Sequence, residues 1–156
     1  GGFTDVLLAG KASHVVAVDV GHGQVDWKLR NSINVTILER TNARYLTVEQ
    51  IPKPPDIVVC DASFIGLQTV LPAAMNLASS GASLIALIKP QFEAARNLVE
   101  KGGVVRDTSV HDMICNQIRD WLDGLPNWEF LGICESPILG PEGNKEFLVA
   151  ARKSKE

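Results

Sequence analysis

The chain has 156 residues, 46% of them apolar and 21% charged, and 15 basic against 18 acidic side chains give a formal net charge of −3. This composition excludes a disordered chain, and the length fits one domain over residues 1–156. The longest apolar run, Ala82–Ile88, is interrupted by Ser83 and far shorter than the about 20 residues of a membrane span. No signal peptide is recognised at the beginning, so we expect a cytoplasmic protein.

Short runs rich in β-branched residues predict four strands, which are, in chain order, His14–Val20, Ile33–Glu39, Asp56–Asp61 and Ala82–Lys89. Continuous apolar runs of this length are typical of strands buried on both faces of a sheet. Leu67–Ala78 is predicted as a helix that contains Pro72.

Thr108–Leu125 has the clearest amphipathic pattern, with Thr108 or Ser109 as its N-cap and Gly124 near its end. The apolar stripe consists of Val110, Met113, Ile114, Ile118, Trp121 and Leu122.

Two final strands, Trp128–Ser136 and Glu146–Arg152, are joined by a loop rich in Pro and Gly. With no helix between them, we expect them to pair antiparallel. The predicted fold class is therefore α/β, with an open, mostly parallel sheet, helices on both faces and an antiparallel C-terminal hairpin.

Polar residues stand where the predicted strands end: Asp19, the segment Glu39-Arg40-Thr41-Asn42, Asp61 and Lys89. Glu146 stands instead at the beginning of the last strand, which reaches the same edge because that strand is antiparallel. Ligands of open α/β sheets bind beyond this edge, so we expect these groups to line one crevice. Four of these residues also have a structural alternative: capping or solvation for Asp19, capping of the next segment for Asp61, a surface lysine for Lys89, and an edge-strand charge for Glu146.

The other reactive side chains form no recognisable site. Cys60, Cys115 and Cys134 are widely spaced, which favours buried free thiols in a reducing compartment over disulfides or zinc. The three histidines are interpreted as structural or surface residues, and we expect no metal. The three tryptophans are interpreted as core or rim residues.

Seven segments appear in a distinctive order: GGFTD, AVDVGHGQVDWKLR, LERTNAR, DASFI, IKPQFE, GGVVRD and GNKEFL. Together they closely resemble the methyltransferase domain of the haemolysin A (TlyA-type) family, which belongs to the FtsJ-like S-adenosylmethionine-dependent RNA 2′-O-methyltransferases. The resemblance implies a Rossmann-like methyltransferase sheet whose last strand is antiparallel.

The resemblance also implies the cofactor site. Gly1, Gly2 and Phe3 match the second half of a glycine motif that approaches the methionine part of S-adenosylmethionine. Asp19 matches the acid that binds the cofactor ribose, and Val20 the residue that packs on adenine. Thr41 and Asn42 match the adenine-side loop, where Glu39-Arg40 replaces the Gly-Asp pair of related enzymes, and Asp61 also borders the cofactor.

FtsJ-like enzymes use a Lys-Asp-Lys-Glu tetrad, and Asp61, Lys89 and Glu146 match its second, third and fourth members. A ribose hydroxyl is a poor nucleophile, so the protein must position it and help to remove its proton. The resemblance thus implies that Lys89 faces the acceptor hydroxyl while Asp61 and Glu146 orient Lys89 and the substrate.

The first half of the glycine motif, its strand and the first tetrad lysine are not found in these residues, so we expect a longer native chain to supply them. That strand would lie between those predicted at His14–Val20 and Asp56–Asp61. An S4-type RNA-binding domain, usual upstream in the family, is not matched either. The expected partner is ribosomal RNA or a ribosomal subunit, contacted weakly by this acidic domain through a patch that includes Arg44, Lys89, Arg96, Lys101, Arg106 and Lys145.

Two other functions are kept as alternatives. One is a membrane-active haemolysin, which the absence of a recognisable span, signal peptide or basic amphipathic helix disfavours. The other is a cofactor- or RNA-binding module without catalysis.

Overall fold

A computed structural model describes residues 2–21 and 27–155. Gly1 of the predicted cofactor motif, His22 and Gly23 lie outside these described residues. The helices are α1 (Gly2–Ala9), α2 (Trp27–Arg30), α3 (Leu67–Leu77), α4 (Pro90–Glu93) and α5 (Thr108–Asp123). The strands are β1 (Val15–Val18), β2 (Val35–Leu38), β3 (Ile57–Cys60), β4 (Ser83–Ile88), β5 (Trp128–Glu135) and β6 (Phe147–Lys153). Short 3₁₀ turns occupy residues 43–45, 96–98 and 141–143.

The strands form two separate hydrogen-bonded ladders. β1 pairs with β2 in parallel, and the second ladder has the order β3-β4-β6-β5. β3 and β4 are parallel, whereas β6 runs antiparallel to both β4 and β5. Every predicted strand is therefore present with slightly different bounds, and the antiparallel hairpin and α/β class are confirmed. Among the described residues, β1 and β3 do not pair with each other, so each has an edge without a ladder partner.

The main hydrophobic core lies on the face of the four-stranded sheet that packs against α3 and α5. In β4, Leu84, Ala86 and Ile88 are fully buried, while Ile85 between them is 40% exposed. Because strand side chains alternate between the two faces, only one face of this sheet is covered by described residues. The expectation that these strands are buried on both faces is wrong for β4, whose alternation is that of a half-covered sheet.

Helix α5 contributes one apolar stripe to this core. Val110, Ile114, Ile118 and Leu122 are buried, whereas Met113 is exposed and Trp121 only half-buried. Burial of each such aliphatic side chain contributes about 1.5–3 kcal/mol, so the helix is stabilised mainly by packing.

The N-cap of α5 is Asp107 rather than Thr108 or Ser109. Its Oδ1 accepts hydrogen bonds from the Ser109 amide (2.9 Å) and from the Ser109 hydroxyl (2.7 Å). These bonds lower the pKa of Asp107, because they stabilise the ionised carboxylate. Gly124 is the C-cap, as predicted, with a right-handed backbone.

Candidate active site

The candidate site residues of the described chain fall into two groups, one beyond β1 and β2 and the other beyond β3, β4 and the start of β6. Among residues 2–21 and 27–155, no hydrogen bond or ion pair joins Asp19, Thr41 and Asn42 to Asp61, Lys89 and Glu146. The sequence predicted that all these residues line a single crevice. In the described chain, their hydrogen bonds and ion pairs instead form two separate clusters, one for each group.

The first group is built by loops that bond to one another. Asp19 follows β1, and its Oδ1 accepts a hydrogen bond from the Gly21 amide at 3.0 Å. The backbone oxygen of Asp19 accepts the Thr41 amide at 2.9 Å, and the Gly21 oxygen accepts the Arg40 amide at 3.0 Å. Arg40 adopts a left-handed backbone (φ 51°) in this turn. The loops after β1 and β2 are thus held as one unit around Asp19.

The adenine-side residues of the resemblance have local roles in this unit. The Thr41 hydroxyl donates to the backbone carbonyl oxygen of Glu39 at 2.9 Å, and Asn42 Oδ1 accepts a hydrogen bond from the Arg44 amide at 3.0 Å. Asn42 thereby caps the short turn at 43–45, while Val20 is 70% exposed. These bonds fix the backbone of the loop and leave the Val20 side chain at the surface.

Helix α1 begins at Gly2, next to Phe3, which is half-buried. A Cβ built at Gly2 would meet no atom within 4 Å. Packing within the described chain therefore does not require glycine there, so its use is consistent with the close approach of another molecule.

The second group centres on an ion pair. Lys89 Nζ lies 2.5 Å from Asp61 Oδ1 and donates a longer hydrogen bond to the Ser63 hydroxyl at 3.4 Å. Because β3 and β4 are adjacent parallel strands, the residues that follow them emerge side by side. The Lys89 side chain is only 11% exposed against 53% for Asp61, so the surface-lysine alternative is wrong. Asp61 does not cap α3, whose N-cap is Gly66.

Glu146 joins this group through the register of β4 and β6. The last pair of their ladder is Ile88 with Phe147, so Lys89 and Glu146 are the next residues at the same end. Glu146 is 7% exposed, and its Oε2 accepts a hydrogen bond from Gln91 Nε2 at 2.9 Å. Since β6 lies between β4 and β5, Glu146 is not an edge-strand charge.

Glu93, the last residue of the IKPQFE segment, was given no role by the sequence and ties this group to α3. Its Oε2 accepts the Leu67 amide at 3.0 Å, at the first residue of α3. A Cβ at Gly66 would lie 2.9 Å from Glu93 Oε1, so any larger residue there would displace the carboxylate from this position. Burial raises the pKa of Glu93, and the Leu67 amide opposes that rise. The IKPQFE motif is therefore connected to the first residue of α3, two residues after DASFI.

Asn144 is a second structural residue that the sequence motifs did not distinguish. It is 2% exposed, and its Oδ1 accepts the Val105 amide at 2.9 Å. Its Nδ2 donates to the Gly103 oxygen at 2.9 Å and to the Pro141 oxygen at 3.0 Å. Asn144 thus joins the loop around residues 100–105 to the loop that leads into Glu146. In the sequence, only its membership of the GNKEFL segment pointed to Asn144, because its partners Val105 and Gly103 are distant along the chain.

Phe64 is a large apolar side chain at the surface beside the ion pair. It is 88% exposed, has a left-handed backbone (φ 64°) and contacts Phe92, with ring centroids 4.8 Å apart. A bulky residue in this backbone region is rare, so the loop holds the ring outward at an energetic cost.

Acidic neighbours partly neutralise the predicted basic patch. Lys145 pairs with Glu135 and Arg106 pairs with Glu100, each at 3.3 Å. With Lys89 paired to Asp61, three of the six patch residues have an acidic partner. The local positive charge is therefore smaller than the sequence suggested.

The cysteines are free but not fully buried: Cys60 and Cys115 are half-buried and Cys134 is exposed. The expectation of buried thiols is wrong for Cys134, which lies on β5 near the sheet's end. Burial raises the pKa of Cys60 to about 11, and the charge of Asp61 adds to the rise, so this thiol is protonated near neutral pH. It is therefore not a ready nucleophile, despite its position next to the ion pair.

Among the histidines, His111 is buried, and its Nε2 lies 2.7 Å from the Val105 oxygen. Trp128 belongs to the core, whereas Trp27 is 74% exposed. Within the described ranges, no cluster of three His, Cys, Asp or Glu side chains is arranged to hold a metal ion. None of the helices in those ranges combines the length and apolar character of a membrane-spanning helix.

Comparison with known proteins identifies relatives over almost the whole chain. The chain is 47% identical over 152 residues to the 16S/23S rRNA (cytidine-2′-O)-methyltransferase TlyA of Mycobacterium tuberculosis, covering 97% of this chain and 56% of that protein. It is 39% identical to Hemolysin A of Brachyspira hyodysenteriae, over 95% of this chain and 62% of that one. The chain therefore spans little more than half the length of these relatives.

The fold is shared with solved structures as well. A Streptococcus thermophilus structure described as a candidate hemolysin matches with a TM-score of 0.91 and 39% identity, over 100% of this chain and 56% of that one. The family model described as FtsJ-like methyltransferase matches residues 1–153. The chain therefore belongs to the FtsJ-like methyltransferase family.

Proposed function

We propose that the intact protein transfers a methyl group from S-adenosylmethionine to a ribose 2′-hydroxyl of ribosomal RNA. The observation that carries this proposal is the Lys89–Asp61 ion pair, with the buried Glu146 carboxylate at the same end of the sheet. The named activity of the Mycobacterium tuberculosis relative supports the substrate class.

The arrangement suits methyl transfer to an oxygen. The sulfonium of the cofactor is already a good leaving group, so the protein needs to align the hydroxyl and assist removal of its proton. We assign the contact with the acceptor hydroxyl to Lys89. Asp61 orients the ammonium group through their 2.5 Å contact, and Glu146 orients the substrate side.

The first group of residues is assigned to the cofactor. We assign Asp19 to hydrogen bonds with the cofactor ribose, and the turn at Thr41 and Asn42 to the adenine side. Local hydrogen bonds to the Gly21 and Arg44 amides fix these loops and support the assignment. Gly1, Gly2 and Phe3 are assigned to the methionine part, with Val20 against the adenine ring and Asp61 at the boundary between cofactor and acceptor. Open α/β sheets bind ligands beyond the carboxyl ends of their strands, which is where Asp19 and Asp61 lie.

We further propose that a strand from outside residues 1–156 pairs between β1 and β3. Both edges lack a ladder partner within the described chain, and the unpaired N–H and C=O groups of an edge strand can pair with a further strand. The greater length of the relatives supports additional chain of this kind. We assign the first tetrad lysine and most of the RNA affinity to that additional chain, since acidic residues already neutralise much of the basic patch.

A methyl-transfer assay tests the proposal. The full-length protein is incubated with radiolabelled S-adenosylmethionine and isolated ribosomal subunits, and the RNA is then hydrolysed in alkali. Label in alkali-resistant dinucleotides is expected, because a 2′-O-methyl group removes the hydroxyl that drives strand cleavage. Label in the mononucleotides that alkali releases, or no label in the RNA at all, would overturn the ribose assignment. Lysis of red cells without cofactor would favour the membrane-active alternative instead.

A further inference from the structure

The Glu146 carboxylate lies in a closely fitted space formed by two residues outside the proposed tetrad. Gln91 Nε2 donates a 2.9 Å hydrogen bond to Oε2, and both side chains are at least nine-tenths buried. The same carboxylate also occupies the volume that a side chain at residue 140 would fill. A Cβ built on Gly140 would overlap Glu146 Oε2 and would lie 2.6 Å from Cδ, so the carboxylate could not keep this position.

The backbone around this space is independently fixed. The Ser136 amide donates to the backbone carbonyl oxygen of Glu146 at 2.8 Å, and the Gly140 amide donates to the backbone carbonyl oxygen of Asn144 at 2.7 Å. Gly140 itself has φ −82° and ψ −172°, an extended conformation that any residue adopts. Glycine is therefore needed at this position for the room it leaves the carboxylate, and not for its backbone freedom.

A contribution to the stability of the fold does not explain why a glutamine is buried at residue 91. Its Oε1 is buried and has no hydrogen-bond partner in the described part of the chain. Rotating the amide by half a turn would place that oxygen against the Glu146 carboxylate, so the observed orientation is the favourable one. A buried polar atom without a partner destabilises a fold, and an apolar side chain of similar volume would avoid that loss. What an apolar side chain could not provide is the donor that holds Glu146.

From these contacts we infer that Gln91 and Gly140 are positioning residues of the methyl-transfer site, which act by fixing the Glu146 carboxylate in one orientation. The inference rests on the proposed function, since it assigns Gln91 and Gly140 a part in that reaction. Gln91 directs one oxygen by its hydrogen bond, and Gly140 provides the space that the carboxyl group occupies. Neither residue needs to touch the substrate.

The test measures steady-state methyl transfer to ribosomal RNA by the full-length protein and its variants. Gln91→Met is expected to lower kcat about ten- to hundredfold, because misplacing a positioning group by about 1 Å can cost about 10² in rate. The KM for S-adenosylmethionine is expected to be unchanged, and the thermal unfolding midpoint equal or higher, because the unpaired Oε1 is gone. Gly140→Ala is expected to lower kcat by a similar factor.

Matched controls separate positioning from general damage. Gln117→Met changes an exposed glutamine of α5, and Gly132→Ala adds a Cβ where no atom lies within 4 Å. Both are expected to retain wild-type kcat. In a Glu146→Ala background, Gln91→Met and Gly140→Ala should change the residual kcat less than about threefold, because the group on which they act has been removed.

The outcomes distinguish this inference from the proposed function. If the wild-type protein transfers no methyl group to RNA, the proposed function fails, and this inference fails with it. If the wild type is active while Gln91→Met or Gly140→Ala keeps near-wild-type kcat, only the positioning role is overturned. Equal losses with and without Glu146 would also overturn it, since the effect would not pass through the carboxylate.

Discussion

The two halves of the molecule differ in how they hold their functional residues. In the described chain, the buried residues of the main core cluster all lie between Val58 and Ala151. The half before residue 52 buries few large side chains, among them Val15, Leu29 and Ile51, while Ile33 is 93% exposed. Its loops are joined mainly by backbone hydrogen bonds around Asp19.

This difference in packing matches the different roles proposed for the two halves. The residues proposed for catalysis, Asp61, Lys89 and Glu146, extend from strands with a packed core beneath them, which favours a fixed geometry in advance of substrate binding. The cofactor-side loops have no comparable core within residues 2–21 and 27–51. We therefore expect this half to gain order from cofactor binding and from the strand proposed between β1 and β3. Four experiments test the comparison, from the largest expected effect to the smallest.

The largest effect is expected at Lys89. Lys89→Ala in the full-length protein should lower methyl transfer about 10²–10⁴-fold, the usual contribution of proton-transfer assistance, while S-adenosylmethionine still binds. Lys89→Arg should be nearly as damaging, because arginine stays charged and cannot accept a proton. The measurements are single-turnover transfer and cofactor affinity, with the exposed Lys53→Ala as a control. Near-normal transfer by Lys89→Arg would refute a role as base and would show that Lys89 acts through its positive charge alone.

Core truncation should separate the stabilities of the two halves. Ile118 is 1% exposed within the main cluster, so Ile118→Ala should cost about 2–5 kcal/mol of unfolding free energy. Val15→Ala, in the two-stranded ladder, should cost about 1.6 kcal/mol at most, counted as two groups at about 0.8 kcal/mol each. Denaturant unfolding of the full-length protein measures both. Equal losses would show that the half before residue 52 is packed as tightly as the half that contains the main core.

Cofactor affinity should depend on Asp19. Removing hydrogen bonds to a charged carboxylate costs about 1.5–3 kcal/mol, so Asp19→Ala should weaken S-adenosylmethionine binding about ten- to hundredfold. In thermal-shift measurements, ligand at about 100 times its Kd stabilises the wild type by about 2.7 kcal/mol, and the variant should respond less. A shift with NAD but none with S-adenosylmethionine would contradict the cofactor assignment.

The smallest effect concerns the cap of α5, outside both clusters. Asp107→Ala should lower the unfolding midpoint at neutral pH without changing activity, because the Ser109 amide and hydroxyl lose their acceptor. The folded-state pKa of Asp107 is lowered, so its stabilisation is complete above its unfolded pKa of about 3.9 and is lost as pH falls through the lower folded value. The difference between variant and wild type should therefore shrink below about pH 4. A difference independent of pH would exclude the charge as its cause.

Several features could be predicted from the local sequence, and others could not. Runs rich in β-branched residues predicted β1 to β4, and the Pro- and Gly-rich loop marked β5 and β6 as a hairpin. The ends of the predicted strands indicated that Asp61, Lys89 and Glu146 lie at one edge of the sheet. The choice of N-cap for α5 was wrong, because Asp107, Thr108 and Ser109 are all residues that cap helices well. Only the direction in which the chain enters the helix decides among three such neighbours.

The sequence by itself determined the strands, the two long helices α3 and α5, the polar groups at the strand ends and the family, because these depend on periodicity and on short motifs. Tertiary structure alone decided that Gln91 holds Glu146, that Glu93 binds the first amide of α3 and that Gly140 leaves room for a carboxylate. Gln91 and Glu146 are 55 residues apart, and they meet only because β4 and β6 pair in one antiparallel register. A contact at that separation is fixed by sheet geometry and by the packing of loops, which no local pattern of residues encodes.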